Sequence, residues 1–196
     1  LERAYLPFLR GEGLANYITD PVFRAGLEAA PEEDMWPSIR RWGNMFSAPA
    51  KTWADLAQLR EWTRLPIVLK GILHPEDALR AVDAGIDGIV VSNHGGRQVD
   101  GSIAALDTLP DVVRAVNGRI SVLFDSGIRS GADVLKAVAL GADAVLLGRP
   151  YIWGLATAGA AGVAEVLRRL LADVDLSLAL LGQSRIDQLN GSILQR

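Results

Sequence analysis

From residue 52 onward, short unbroken apolar runs alternate with helix-patterned stretches, and no other feature constrains the fold as strongly. Ile67-Val68-Leu69, Gly88-Ile89-Val90-Val91, Val122-Leu123-Phe124 and Ala144-Val145-Leu146-Leu147 are continuous rather than alternating. A continuous run predicts a strand buried on both faces, hence a parallel sheet covered by helices. Between the runs lie helix signals. Thr52 with Asp55 predicts a capped helix over 53–64 with Leu56 and Leu59 inward. Pro75, followed by Glu76 and Asp77, opens a helix with Leu79 and Val82 inward and Gly85 at its end. A third helix spans about 104–117 and stops at Gly118. Ser130 with Asp133 caps a fourth, closed by Gly141. Val163, Val166, Leu167, Leu170, Leu171 and Val174 form the stripe of a fifth.

The grammar repeats. Pro75 to Val82 aligns with Gly131 to Val138 at an offset of 56, and the same offset carries Gly85 and Asp87 onto Gly141 and Asp143. Repeated βα pairs favour a (β/α)8 barrel over a doubly wound sheet. Four strands are half of such a barrel, whose usual length is ~250 residues. The fold expected is therefore α/β: four parallel βα units forming a half-barrel.

Residues 1–51 read differently. They carry five of the nine prolines and no sustained period, so they predict an irregular excursion with short helices at 21–29 and 35–42. Glu32-Glu33-Asp34 reads as a solvated helix start. The five tryptophans, Trp36, Trp42, Trp53, Trp62 and Trp153, read as packing residues. The chain begins at Leu1, not Met, and reads as a processed product, an excised segment or a piece of something longer.

Composition removes several functions. Twenty Lys and Arg against 23 Asp and Glu leave a net charge of −3, without the basic excess of a nucleic-acid module. No cysteine and only two histidines argue against thiol chemistry and against a metal site. No stretch predicts a membrane span or a signal peptide, since Glu2, Arg3 and Arg10 interrupt any early apolar core. A cytoplasmic protein is expected.

In parallel α/β folds the chemistry gathers at the carboxyl ends of the strands. Here those ends read Lys70-Gly71, Ser92-Asn93-His94-Gly95-Gly96-Arg97-Gln98, Asp125-Ser126-Gly127-Ile128-Arg129 and Gly148-Arg149-Pro150. Gly127 and Gly131 would let a phosphate approach the backbone closely, Arg129 and Arg149 could each fork onto its oxygens, and the helix opening at Ser130 would offer free N–H groups; otherwise the arginines are surface residues and the glycines helix punctuation. Lys70 needs an anionic partner, whether a ligand or a neighbouring carboxylate. His94 suits a general base or a structural hydrogen bond. Arg97 suits a carboxylate, and Asp125 a ligand hydroxyl or a turn cap.

Together these strings resemble the FMN-dependent L-2-hydroxy-acid oxidase family, over roughly residues 52–190. Tyr5-Leu-Pro-Phe-Leu-Arg10 and Ala15 to Pro21 are similar to its lactate 2-monooxygenase branch, and Asp125-Ser126-Gly127 agrees with the lactate-oxidising branches where Asp-Gly-Gly is common elsewhere. The resemblance implies that residues 52–196 are the C-terminal half of an FMN-binding barrel and residues 1–51 an insertion. It implies that Lys70 faces flavin N1 and O2, that Ser92 contacts the flavin, that Asp125 holds ribityl hydroxyls, and that Gly127, Arg129, Gly148 and Arg149 hold the FMN phosphate. His94 would be the base and Arg97 the clamp on a 2-hydroxy acid, with O2 as acceptor. An earlier half-barrel, or a second copy in a homo-oligomer, would complete the site. Two other readings stay open: a phosphate-handling isomerase or aldolase using Lys70 as a Schiff base, and a non-catalytic half-barrel that assembles through open sheet edges.

Overall fold

A computed structural model describes residues 10–46 and 51–194. The chain divides into two units, Leu1–Asp55 and Leu56–Arg196. The segment Tyr5–Leu9 and Pro49 lie outside the described residues.

Among the described residues, the first unit contains three short helices, α1 (Ala15–Ile18), α2 (Pro21–Ala25) and α3 (Trp36–Phe46). Asp20 starts α2 by accepting from Phe23 N at 2.8 Å, and Pro21 supplies a preset first residue. The Phe23 ring is buried between Tyr17, with centroids 5.7 Å apart, and the Arg41 guanidinium at 5.4 Å. The acidic run is only partly a helix start. Asp34 Oδ1 accepts from Trp36 N at 2.9 Å, but Glu32 turns to Arg24, whose two donors hold its carboxyl down at about 2. Trp36 is exposed rather than packed.

The second unit opens with α4 (Asp55–Trp62) and continues as β1 (Val68–Ile72), α5 (Pro75–Asp83), β2 (Gly88–Val91), α6 (Ala105–Val116), β3 (Ser121–Phe124), α7 (Gly131–Ala139), β4 (Ala144–Val145) and a long helical stretch, α8 (Arg149–Leu180). The four strands form one parallel sheet in the order β1-β2-β3-β4. The expected succession of parallel βα units is what the chain builds. Its core is Ile89 and Val91 on β2, Phe124 on β3, and Leu109, Val112 and Val116 on α6, all buried.

Two of the three strand pairs, β1-β2 and β3-β4, are fastened at the entrance by an aspartate. Asp87 Oδ2 accepts from Ile67 N at 2.7 Å, and its own N–H bonds Ile67 O at 3.0 Å. Asp143 repeats this one unit later, with Val122 N at 2.8 Å and Val122 O at 2.8 Å. The Ile67 N–H, together with Arg60, holds the Asp87 carboxyl below its usual range. The internal repeat thus reflects a repeated hydrogen-bonding device.

Several expectations are corrected. Only β2 is buried along its whole length, whereas β1 and β4 are partly exposed. They are the outer strands of the sheet, and among the described residues no further strand pairs with their far edges. β4 is two residues long rather than four, and β1 runs on through Lys70 to Ile72 with its register shifting at Gly71. On α5 the buried residues are Ala78 and Ala81, with Leu79 and Val82 half-buried. α4 has no buried residue, and Leu59 and Trp62 are exposed, as is Trp153 on α8.

The last helix starts earlier than its stripe implied. α8 leaves helical geometry at Ala158 and Gly159, and its two arms meet where Gly154 touches Gly162. A side chain at either glycine would strike the opposing backbone. Val174 and Leu178 of the second arm pack on Leu135 and Ala139 of α7, while Leu167 and Leu171 stay exposed. Among the described residues, no helix is long and apolar enough to cross a membrane.

Candidate functional site

The carboxyl ends of the strands enclose a cavity of about 370 Å³, lined by Lys70, His94, Arg97, Asp125, Gly127, Arg129, Gly148 and Arg149 among others. Ser92 lies just beneath, buried, with its hydroxyl 2.9 Å from Lys70 Nζ. All nine residues singled out from the sequence therefore meet at one rim. Tyr151 and Ile152, at the start of α8, complete the wall.

The Lys70 end is a closed network. Lys70 Nζ lies 2.8 Å from Asp125 Oδ2 and donates to Ser92 Oγ. Adjacent parallel strands lie about 5 Å apart, so residues two strands away meet only through long side chains. Lys70 on β1 reaches over β2 to Asp125 just beyond β3. Asp125 Oδ1 accepts from Ser126 Oγ at 2.8 Å. Burial pushes the Asp125 carboxyl up, but the Lys70 ammonium and the Ser92 and Ser126 hydroxyls outweigh it and leave it below the usual carboxylate range. Lys70 has both predicted traits: it borders the cavity and has a carboxylate partner. The carboxylate also disfavours the Schiff-base reading, because that chemistry needs an uncommitted amine.

His94 opens a single 3-10 turn, His94–Gly96, that follows β2. Its backbone is left-handed, φ 58°, a conformation uncommon outside glycine. The turn is tied down by backbone contacts. His94 N donates to Ser92 Oγ at 3.0 Å, and Gly96 N donates to Asn93 Oδ1 at 3.1 Å. Asn93 N and Gly95 N both donate to Ser126 Oγ, at 3.2 and 3.0 Å. Arg149 Nη2 donates to Gly95 O at 3.2 Å from the end of β4. The His94 side chain is exposed to the cavity, and Arg97 follows directly after the turn.

The arginine end is open. Among the described residues the Arg97 and Arg129 side chains make no hydrogen bond or ion pair, and Arg149 spends one donor on Gly95. One expectation fails here: the N–H groups at the start of α7 are not free. Ser130 Oγ accepts from Asp133 N, Asp133 Oδ2 accepts from Arg129 N and Ser130 N, and Asp173 Oδ2 accepts from Gly131 N at 2.5 Å. Two carboxylates occupy that terminus and repel an anion. The start of α8 is different. Gly148 gives it no side-chain cap, Pro150 has no N–H, and its first residues, Arg149 to Ile152, line the cavity. Gly127 and Gly148 would meet nothing within 4 Å if a Cβ were added, so open space adjoins both. A phosphate group fits this end: two arginines, an uncapped helix start and backbone without side chains.

Three residues escaped the sequence reading. Ser126 resembled a stand-in for glycine, yet its hydroxyl joins the two strand ends. Asp87 and Asp143 sat inside the recognised repeat, and their signal was an aspartate directly before each even-numbered strand.

Fold and rim define the class: parallel βα units of the barrel type, with the candidate site at the carboxyl ends of the strands. Comparison with known proteins then gives the family. The FMN-dependent dehydrogenase family matches residues 3–196. An FMN-dependent alpha-hydroxy acid dehydrogenase, qulF, of Penicillium citrinum is 46% identical over 199 residues, covering 100% of this chain and 50% of that protein. An L-lactate oxidase of Lysinibacillus sphaericus is 48% identical over 185 residues, covering 94% of this chain and 47% of the oxidase. A structure of mandelate oxidase with (S)-4-hydroxymandelic acid superposes with a TM-score of 0.68 and 54% identity, over 70% of this chain and 39% of that one. The chain belongs to the FMN-dependent dehydrogenase family, and it spans about half the length of the curated relatives it matches.

Proposed function

We propose that this chain supplies half of an FMN-dependent site that oxidises a 2-hydroxy acid, with lactate as the substrate. The observation that carries the reading is the meeting of Lys70, His94, Arg97, Asp125, Arg129 and Arg149 around one cavity. Arg129, Arg149 and the open backbone at Gly127, Gly148 and the start of α8 would hold the FMN phosphate. Asp125 would take ribityl hydroxyls with whatever capacity Lys70 and Ser126 leave free. Lys70, backed by buried Ser92, would present a positive charge to the N1 and O2 side of the flavin ring. When bound, FMN supplies the two-electron acceptor that O2 later reoxidises.

This chain's own residues would do the rest. Arg97 has no partner among the described residues, so its fork is free for the substrate carboxylate. His94, exposed in the cavity, would accept the proton of the 2-hydroxyl group. Lactate and O2 would give pyruvate and hydrogen peroxide. Where both stay in the site, they would react to give acetate, CO2 and water, the lactate 2-monooxygenase outcome. The Asp125-Ser126-Gly127 string and the similarity to an L-lactate oxidase support lactate. The exposed edges of β1 and β4 support completion by four earlier βα units, and we assign residues 52–196 to the C-terminal half of that barrel.

The test uses the chain joined to four such units, mixed anaerobically with FMN and L-lactate while flavin absorbance is followed. Bleaching is expected, and His94→Gln should slow it about 10²–10⁴-fold with FMN still bound. Bleaching at an unchanged rate in that variant removes the base from His94. The 196-residue chain alone should bleach negligibly.

A further inference from the structure

Three non-glycine residues in the described chain have left-handed backbone, and two of them, His94 and Ser126, belong to this site. The third, Asn117, ends α6, where that conformation is ordinary. Ser126 stands at φ 84°, where glycine is the unstrained choice. Strain of this kind persists where surrounding structure demands it, and what Ser126 offers in return is its hydroxyl. A hydroxyl has one proton to give and two lone pairs to fill. Here all three are used: Oγ donates to Asp125 Oδ1 at 2.8 Å and accepts from Asn93 N at 3.2 Å and Gly95 N at 3.0 Å. The two acceptor bonds grip the residues on either side of His94.

We infer that Ser126 is a positioning residue that fixes the His94 turn to the Lys70–Asp125 pair. One hydroxyl connects the group that faces the cavity from β1 with the turn that follows β2, so the two cannot shift independently. Ser92 adds a parallel tie, bonding Lys70 Nζ and His94 N through its own Oγ. Glycine at 126 would relieve the backbone and cut the Ser126 link.

The substitution series separates this role from a merely structural one, because strain and hydroxyl change independently. Ser126→Gly removes both, Ser126→Ala removes only the hydroxyl, and Ser126→Thr keeps the hydroxyl and adds β-branching at an unfavourable φ. The measurement is residue-resolved amide exchange on the full chain, with thermal melting alongside. Ser126→Gly should melt at or above the parent temperature, yet exchange Asn93 and Gly95 amides at least tenfold faster. Ser126→Thr should melt lower and restore their protection. The two imidazoles give a second readout, since His94 signals should move or broaden in Ser126→Gly while those of His74, which caps α5, stay put. Protection of Asn93 and Gly95 that survives in Ser126→Gly, or that follows melting temperature across the series, overturns the inference.

The catalytic purpose of the turn rests on the function proposed above, but amide exchange needs neither flavin nor substrate. If the barrel-complete protein turns over no 2-hydroxy acid while Ser126→Gly still frees the two amides, the proposed function fails and the positioning role stands.

Discussion

At the Lys70 end of the cavity the polar groups are paired with one another: an ammonium with a carboxylate, and two hydroxyls with backbone amides. At the Arg129 end, two guanidiniums and an uncapped helix start face the same space, with one bond from Arg149 to Gly95 O between them and the protein. The paired end contributes to folding whether or not a ligand is present. The open end gathers like charge, which does not stabilise the fold, and it gains only when an anion arrives. One cavity thus holds a corner whose groups satisfy one another and a corner whose cations stay largely unpaired among the described residues.

If the comparison is right, substitutions at the two ends should separate ligand affinity from stability. The largest effect is expected at the open end. Arg129→Ala and Arg149→Ala should each weaken FMN binding in the barrel-complete protein about 10–100-fold, from charge-assisted bonds worth ~1.5–3 kcal/mol. Flavin fluorescence titration reads this, and melting temperature should hold or rise. A large drop in melting temperature would show that the arginines are structural after all. Next comes the paired end. Asp125→Ala should lower chain stability by about 1–3 kcal/mol through stranded partners rather than Coulomb attraction, because Lys70 is 41% exposed and water screens it. Denaturant unfolding checks it, and an unchanged midpoint would break the contrast.

The smallest effect is in acid. The Asp125 carboxyl sits below its ordinary value when folded, so its contribution is present above the unfolded value of about 3.9 and fades as pH falls through the folded one. Unfolding midpoints should therefore show no loss from this group between pH 7 and about 5. The parent and Asp125→Asn curves should converge only below about pH 4. Convergence already near pH 6 would mean the carboxyl is not held down.

How much of this was legible in the chain depended on what each residue needed from its neighbours. Strand β2 announced itself because a central strand is apolar whatever lies beyond it, and the Ser130–Asp133 cap of α7 is a local device, readable from three residues of spacing. The burial of β1 and β4 was overread, since an apolar run reports what the strand can bury and says nothing of whether a covering element is present. At the site, the converging residue types were readable from their places after each strand. Their pairings were not. Lys70 and Asp125 meet because the register sets Lys70 level with Val90 and Leu123 and its long side chain reaches on to the residue just past β3, and the closure of the α7 start depends on Asp173, which arrives 42 residues after Gly131. Ser126 was visible only as a departure from glycine, and its purpose lies in Asn93 and Gly95 on another strand's loop.

The left-handed serine has a practical corollary. Anyone breeding this protein for heat tolerance meets, at position 126, a substitution that looks like a free gift: glycine, better suited to the backbone and, by melting temperature alone, no worse than the parent. A screen that scores endurance alone will collect it, and the resulting protein will outlast its parent while its histidine drifts. Serine would survive at that spot only under a contest judged on work done.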